Sequence, residues 1–246
     1  MDHNSDTVRE RTIAIGDIHG CSIALKALLE TICPTTADTI ITLGDYIDRG
    51  PDSRGVLDLL LALRDECTFV PLMGNHEEML LAARESRSEL QFWLKFGGED
   101  TLRSYGEKGG WEIIPGNHLE FIRGCRKFFE TTSHIFVHAS YDPKRPMHEQ
   151  STGTLFWETP PFDRLVPHVS GKTVIVGHTS QLDGFILDLG FFKCIDTFCH
   201  SGGWLTALDI ETGNCWQANQ QGKVRPGGTR DRIGTVHKPA SFAHDR

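Results

Sequence analysis

No stretch of this 246-residue chain approaches the ~20 consecutive apolar residues needed to cross a bilayer, so a helical membrane protein is not expected. Positive charge is also scarce. Against 33 Asp and Glu stand 25 Lys and Arg, a formal net charge of −8 that argues against a nucleic-acid-coating protein, though bound divalent cations would offset part of it. The 7 cysteines are odd in number and never spaced Cys-x-x-Cys, which fits reduced thiols better than a disulfide framework. Met1–Arg11 is polar and lacks the apolar segment of a secretory signal. There is no internal repeat and no linker. The expectation is a cytoplasmic single-domain protein, with no membrane and no nucleic-acid partner, and of ordinary composition: 39% hydrophobic, 24% charged.

What the chain does have is a set of short apolar runs that break into polar motifs. Thr12–Ile15 breaks at Gly16-Asp17-Ile18-His19-Gly20, and Thr39–Leu43 at Gly44-Asp45-Tyr46-Ile47-Asp48-Arg49-Gly50. Thr68–Met73 breaks at Gly74-Asn75-His76-Glu77. Between the runs, Ser22 caps an expected helix through Ile32 and Ser53 another through Glu66, both with apolar residues at helical spacing. Strand, helix, strand, helix, strand implies βαβ units and a parallel sheet, whose carboxyl edge is where ligands bind.

Further on, residues 77–130 read as mostly helical, with Phe92, Trp93, Phe96 and Tyr105 suited either to a small cap over the site or to plain core packing. Ser133–Val137 leads into His138-Ala139, and Thr173–Val176 into Gly177-His178. Residues 141–170 are Pro-rich and irregular, with room for a short helix. Phe185–Leu189, Lys193–Asp196, Trp204–Ile210 and Asn214–Ala218 read as short antiparallel strands. From Lys223 the chain turns polar and aperiodic, so the domain is expected over 1–222 and a flexible tail over 223–246.

Five strand ends thus present Asp17 with His19, Asp45, Asn75, His138 and His178. Carboxylate, imidazole and amide donors together suit Mn²⁺, Fe or Zn²⁺ better than Ca²⁺, which prefers oxygen alone, or a structural zinc, which prefers thiolates. Six donors exceed what one catalytic ion needs; two ions about 3.5–4 Å apart, sharing one carboxylate, would use them all. Asp45, mid-set, is the natural bridge. Singly, each such residue reads as a cap or a satisfied surface group, and Asp48 with Arg49 as a turn ion pair; the set as a whole does not.

These motifs, in this order, resemble the bacterial PPP-type serine/threonine protein phosphatases within the calcineurin-like metallophosphoesterases, over roughly Thr12 to Ala218. The resemblance implies an α/β fold of two mixed sheets packed as a sandwich with helices outside. It implies a first metal on Asp17, His19 and Asp45, and a second on Asp45, Asn75, His138 and His178, with Mn²⁺ first and an Fe/Zn pair as the alternative. A water or hydroxide between the ions would attack phosphorus directly. Arg49, with Asn75, would bind the phosphate oxygens, and His76, oriented and kept cationic by Asp48, would protonate the leaving alkoxide. The expected substrate is a phosphoprotein or phosphopeptide at phosphoserine or phosphothreonine. A symmetrical diadenosine tetraphosphate hydrolase is the nearest rival; that family carries Ala in place of Asp48 and Asp in place of Glu77. A pseudo-phosphatase that only binds partners is the alternative of another class. Many bacterial members carry a second phosphate-binding arginine just after a tryptophan; here Trp157 is followed by Glu158, leaving Arg164 as the nearest substitute, then Arg126 or Arg145. His118, His134, His148, His168 and His200 are read as structural or surface residues, and Cys21 as packing.

Overall fold

The computed structural model describes residues 10–106 and 109–230. Strand β1 (Thr12–Ile15), helix α1 (Ser22–Ile32), β2 (Thr39–Thr42), α2 (Ser53–Leu63) and β3 (Thr68–Pro71) form two successive βαβ units, with β1, β2 and β3 parallel. Then come α3 (Asn75–Ala83), α4 (Arg87–Trp93), a π-helical turn (Leu94–Gly98), α5 (Glu99–Tyr105) and α6 (Gly116–Arg123). The second half holds β4 (Phe128–Glu130), β5 (His134–Val137), α7 (Thr152–Trp157), β6 (Thr173–Val176), β7 (Ile186–Asp188) and β8 (Phe192–Cys194). It closes with β9 (Leu205–Asp209), β10 (Cys215–Ala218), β11 (Val224–Pro226) and β12 (Thr229–Arg230).

Two six-stranded mixed sheets result, ordered β11-β10-β9-β1-β2-β3 and β12-β7-β8-β6-β5-β4. Alternation along the strands dictates the layers. Ala14, Ile41, Val70, Phe136 and Ile175 share one cluster drawn from both sheets, the inside of the sandwich. Their neighbours Ile13, Ile15 and Ile40 pack with α1 and α2, through Leu25 and Leu28 and through Val56, Leu57 and Leu60. Ile135, Val137, Val174 and Val176 face outward on the other sheet, against Leu155 and Phe156 of α7. Strands buried on both faces explain why the runs read as continuously apolar rather than alternating.

Local differences have physical causes. Asp52, not Ser53, caps α2, accepting the Gly55 N–H at 2.9 Å; Ser22 is the first residue of α1 and its hydroxyl donates to that same Asp52 at 2.6 Å. One carboxylate therefore ties both helix starts together. Helix α2 stops at Leu63 rather than Glu66, and β2 and β3 each end before their polar motifs. In the second half β7 pairs antiparallel with β8 and β9 with β10, as expected, while β8 also pairs parallel with β6. The expected tail from 223 begins instead with two paired strands, β11 on β10 and β12 on β7; residues 231–246 lie outside the described residues. All seven cysteines are free. Among the described residues no helix is long and apolar enough to cross a membrane.

Candidate metal centre

The loops after β1, β2, β3, β5, β6 and β8 meet at one edge of the sandwich and are tied across it. Ile18 and His19 donate their N–H groups to the Asp45 carbonyl, at 3.0 and 2.7 Å, and Gly177 donates to that of His138 at 2.8 Å. Glu77 is the brace underneath: its carboxylate accepts the N–H groups of Asp45, Tyr46 and Gly74 at 2.8, 2.8 and 3.0 Å. A residue expected to report on substrate choice thus holds the second motif against the third.

Backbone strain concentrates here. Seven described non-glycine residues have positive φ, and five of them are His19, Asp45, Asp48, Arg49 and His178. Such conformations persist where surrounding contacts over-determine them, commonly at functional sites.

Asp17, His19, Asp45, Asn75, His76 and His138 are each 5% exposed or less, and His178 is largely covered. One donor group consists of Asp45, His138 and His178, another of His19, Asp45 and His76, each with its atoms within 4.8 Å of one another. Asp45 belongs to both. Nδ1–H of His138 donates to the Leu43 carbonyl at 2.8 Å and Nδ1–H of His19 to that of Ile47 at 3.0 Å, leaving each Nε2 with a bare lone pair. Nε2 of His138 and Nδ1 of His178 lie 3.0 and 3.1 Å from Asn75 Oδ1 and 3.2 Å from each other. Two imidazole nitrogens and an amide oxygen converging this closely beside the Asp45 carboxylate are a donor set that fits a divalent metal.

The electrostatics agree. Burial pushes the Asp45 carboxyl up to about 7 and Asp17 well above its usual range, outweighing the charge of Arg49 and the backbone N–H groups of His76 and His178 that they accept. Burial also holds His138 down at about 4 and His178 at about 3, keeping both imidazoles neutral and able to ligate. Asp17 is placed differently from the other donors. Both its oxygens accept the His178 N–H, at 3.0 and 2.9 Å, and it completes neither three-residue group.

Asp48 makes a second nest beside the first. Its Oδ2 meets His76 Nδ1 at 2.7 Å, Trp93 Nε1 donates to both oxygens at 2.9 and 3.1 Å, and the Thr101 hydroxyl donates to Oδ1 at 2.6 Å. Trp93 ends α4 and Thr101 lies in α5, so the helical segment contacts Asp48 directly, while Trp93 is fully buried and packs in the main core. Between them Gly97, at φ 108°, brings the turn so near Arg49 that a Cβ would stand 2.6 Å from the Arg49 nitrogen. Burial pushes Asp48 up and His76 down. What burial tolerates is an overall neutral pair, with one proton in the Nδ1–Oδ2 bond and one on Nε2. His76 Nε2 itself is buried without a hydrogen-bond partner, 3.9 Å from Asp45 Oδ2.

Arg49 is exposed, with Nη1 3.2 Å from His19 Nε2, at the mouth of the donor set. Arg164 is not brought there. Its side chain is 80% exposed beside Asp163, while Arg145 pairs with Asp142 and Arg126 lies over the Phe129 ring. Two residues at the site went unmarked in the sequence. Asp196 is buried after β8, accepting the Ser180 hydroxyl at 2.6 Å and the Phe198 N–H at 2.9 Å. His200 packs edge-on to His19, ring centroids 4.7 Å apart, instead of lying remote from the chemistry. Only the strand before Asp196 hinted at the former; His200 had no local signal.

A family profile described as calcineurin-like phosphoesterase matches residues 10–184. "Serine/threonine-protein phosphatase 1" of Salmonella typhimurium is 38% identical over 131 residues, 52% of this chain and 57% of that protein, so the match spans little more than half of the relative. "Bis(5'-nucleosyl)-tetraphosphatase, symmetrical" of Cellvibrio japonicus is 47% identical, covering 82% of this chain and 96% of that protein. Among solved structures, a protein serine/threonine phosphatase from Saccharomyces cerevisiae superposes with a TM-score of 0.58 at 15% identity, over 94% of this chain and 84% of that one. That last likeness concerns the fold alone.

Proposed function

The chain belongs to the calcineurin-like phosphoesterases, and from that premise we propose that it hydrolyses phosphomonoesters of serine and threonine in proteins or peptides. It is a metallophosphoesterase with a buried His/Asp donor set; the substrate is the finer step. The observation that carries this step is the Asp48–His76 pair. A serine or threonine alkoxide is a poor leaving group and must be protonated as it departs, whereas a phosphoanhydride leaves with little help. An imidazole whose Nδ1 is fixed by a buried carboxylate, and whose Nε2 is aimed into the donor set without a partner, suits that task.

We assign one cation to Asp45, Asn75, His138 and His178 and, on the resemblance of the motifs, the other to His19 and Asp45 with Asp17, Mn²⁺ first and an Fe/Zn pair second. Divalent cations bound there supply Lewis acidity, activating water and neutralising phosphate oxygens. The rest belongs to the chain. Arg49 offers a planar fork matched to two phosphate oxygens, and the close approach of Gly97 fixes its backbone. Asn75, whose Oδ1 lies 3.0 and 3.1 Å from the His138 and His178 ring nitrogens, would contact the same phosphate through its amide. His76 passes its Nε2 proton to the leaving oxygen, and Asp48 holds the ring in place throughout.

The test is His76→Ala with metal content measured alongside. Hydrolysis of a phosphoserine peptide is expected to slow by about 10²–10⁴-fold, the worth of one general acid, with a smaller loss on 4-nitrophenyl phosphate and bound Mn²⁺ retained. Full rate on the alkyl ester would reject the assignment, and loss of Mn²⁺ would make His76 a ligand. The dinucleotide hydrolase is the second reading, favoured by the 47% identity to the Cellvibrio enzyme. Glu77 no longer separates the two readings by contact with substrate, because it braces the backbone. Asp48 still does. The complete donor set speaks against a partner-binding protein without activity.

A further inference from the structure

Arg49 is left as the one arginine at the mouth of the donor set among the residues considered for phosphate contact, since Arg164, Arg126 and Arg145 all lie elsewhere. A dianionic phosphoryl group held by a single side-chain fork would leave one flank without a donor. The loop after β8 brings a further donor beside His19, whose Nε2 lies 3.2 Å from Arg49 Nη1.

The loop is built at a cost. Phe198 adopts φ 67°, in the left-handed region that large side chains avoid, and it is one of two positive-φ non-glycine residues outside the metal-site motifs. Four hydrogen bonds hold the strained loop. The Asp196 carboxylate accepts the Phe198 N–H, Phe198 accepts the N–H of Gly203 at 2.9 Å, and the Gln220 amide donates to the carbonyls of Cys199 and His200 at 2.9 and 2.6 Å. What the loop delivers is His200, packed between the rings of His19 (4.7 Å) and Phe198 (4.9 Å), half-buried. No described residue hydrogen-bonds either of its ring nitrogens. An imidazole carries at least one N–H to donate in either protonation state.

We infer that His200 is a second phosphate-contacting residue, donating a ring N–H to an oxygen of the substrate's phosphoryl group beside His19 and Arg49. The inference deepens the proposed function and rests on it for the identity of the ester, though not for the presence of a phosphoryl group.

The experiment titrates Mn²⁺-loaded protein with inorganic phosphate, comparing wild type with His200→Ala, His200→Phe and His200→Gln, with Mn²⁺ content measured for each. Both Ala and Phe should weaken phosphate binding about 10- to 100-fold, the worth of a hydrogen bond to a charged group, with Mn²⁺ unchanged. Gln, whose amide can donate, should recover most of the affinity. If Phe binds phosphate as wild type does, the ring is packing and the inference fails. It fails equally if Ala loses Mn²⁺, since His200 would then brace His19, or if Gln is no better than Ala. Absence of phosphopeptide turnover by wild type, with phosphate binding still dependent on His200, would overturn the proposed ester and leave this contact standing.

Discussion

Trp93→Phe removes one hydrogen-bond donor from a fully buried carboxylate while touching no metal donor. Asp48 has three side-chain partners, and Trp93 is the one that reaches both oxygens. Loss of a hydrogen bond to a buried charged group costs about 1.5–3 kcal/mol. The smaller ring also leaves about 40 Å³ unfilled, about 1 kcal/mol at ~24 cal/mol per Å³. The sum, about 2.5–4 kcal/mol, should lower the melting temperature by roughly 5–15 °C for a domain of this length. The same change loosens the grip on His76, so phosphoserine-peptide hydrolysis should fall about tenfold or more, and 4-nitrophenyl phosphate hydrolysis less. Bound Mn²⁺ should be unaffected. The assay is a thermal melt with steady-state rates on both esters and metal analysis. A variant as stable as wild type within about 0.5 kcal/mol, with an unchanged rate ratio between the esters, would refute the pinning of Asp48 by the helical segment.

Other outcomes follow from the same contacts. Asp45→Asn removes the carboxylate common to both donor groups, so Mn²⁺ content and activity should be lost together; a variant that keeps its metal would remove Asp45 as the bridge. Away from the site, Arg11 donates to both oxygens of buried Asp38, at 2.8 and 2.6 Å, and with Thr35 holds that carboxyl down at about 2. A depressed carboxyl stabilises the fold above its unfolded value near 4 and loses that contribution as pH falls toward 2. Urea midpoints of wild type and Arg11→Leu should therefore differ at pH 6 and converge toward pH 2–3. A constant gap would mean that the pair acts by packing alone.

The extent to which this site was legible in the sequence follows from how local its parts are. Asp17, Asp45, Asn75, His138 and His178 lie within four residues of a strand end, so an apolar run breaking into a polar motif was enough to find them. The sandwich was legible through the resemblance, and its strands through their doubly buried faces. Trp93 and Thr101 were not, because they meet Asp48 across 45 and 53 residues of chain and only the folded helical segment brings them there. His200 escaped for a similar reason: a strained turn at Phe198, which a bulky residue conceals rather than signals, aims it at His19. Arg164 shows the opposite failure, proximity in sequence without proximity in space, since the loop after α7 turns it to solvent. The helix starts were misplaced by a single residue because Asp52 serves both α1 and α2, a pairing no window of one helix contains.

Turnover of a phosphoserine/phosphothreonine peptide beside diadenosine tetraphosphate, with and without Mn²⁺, tests the central claim most directly. A metal-dependent release of phosphate from the peptide, with the dinucleotide cleaved poorly, is the predicted result. Efficient cleavage of the dinucleotide with the peptide untouched would contradict it, and would mean that the Asp48–His76 pair serves an anhydride rather than an ester.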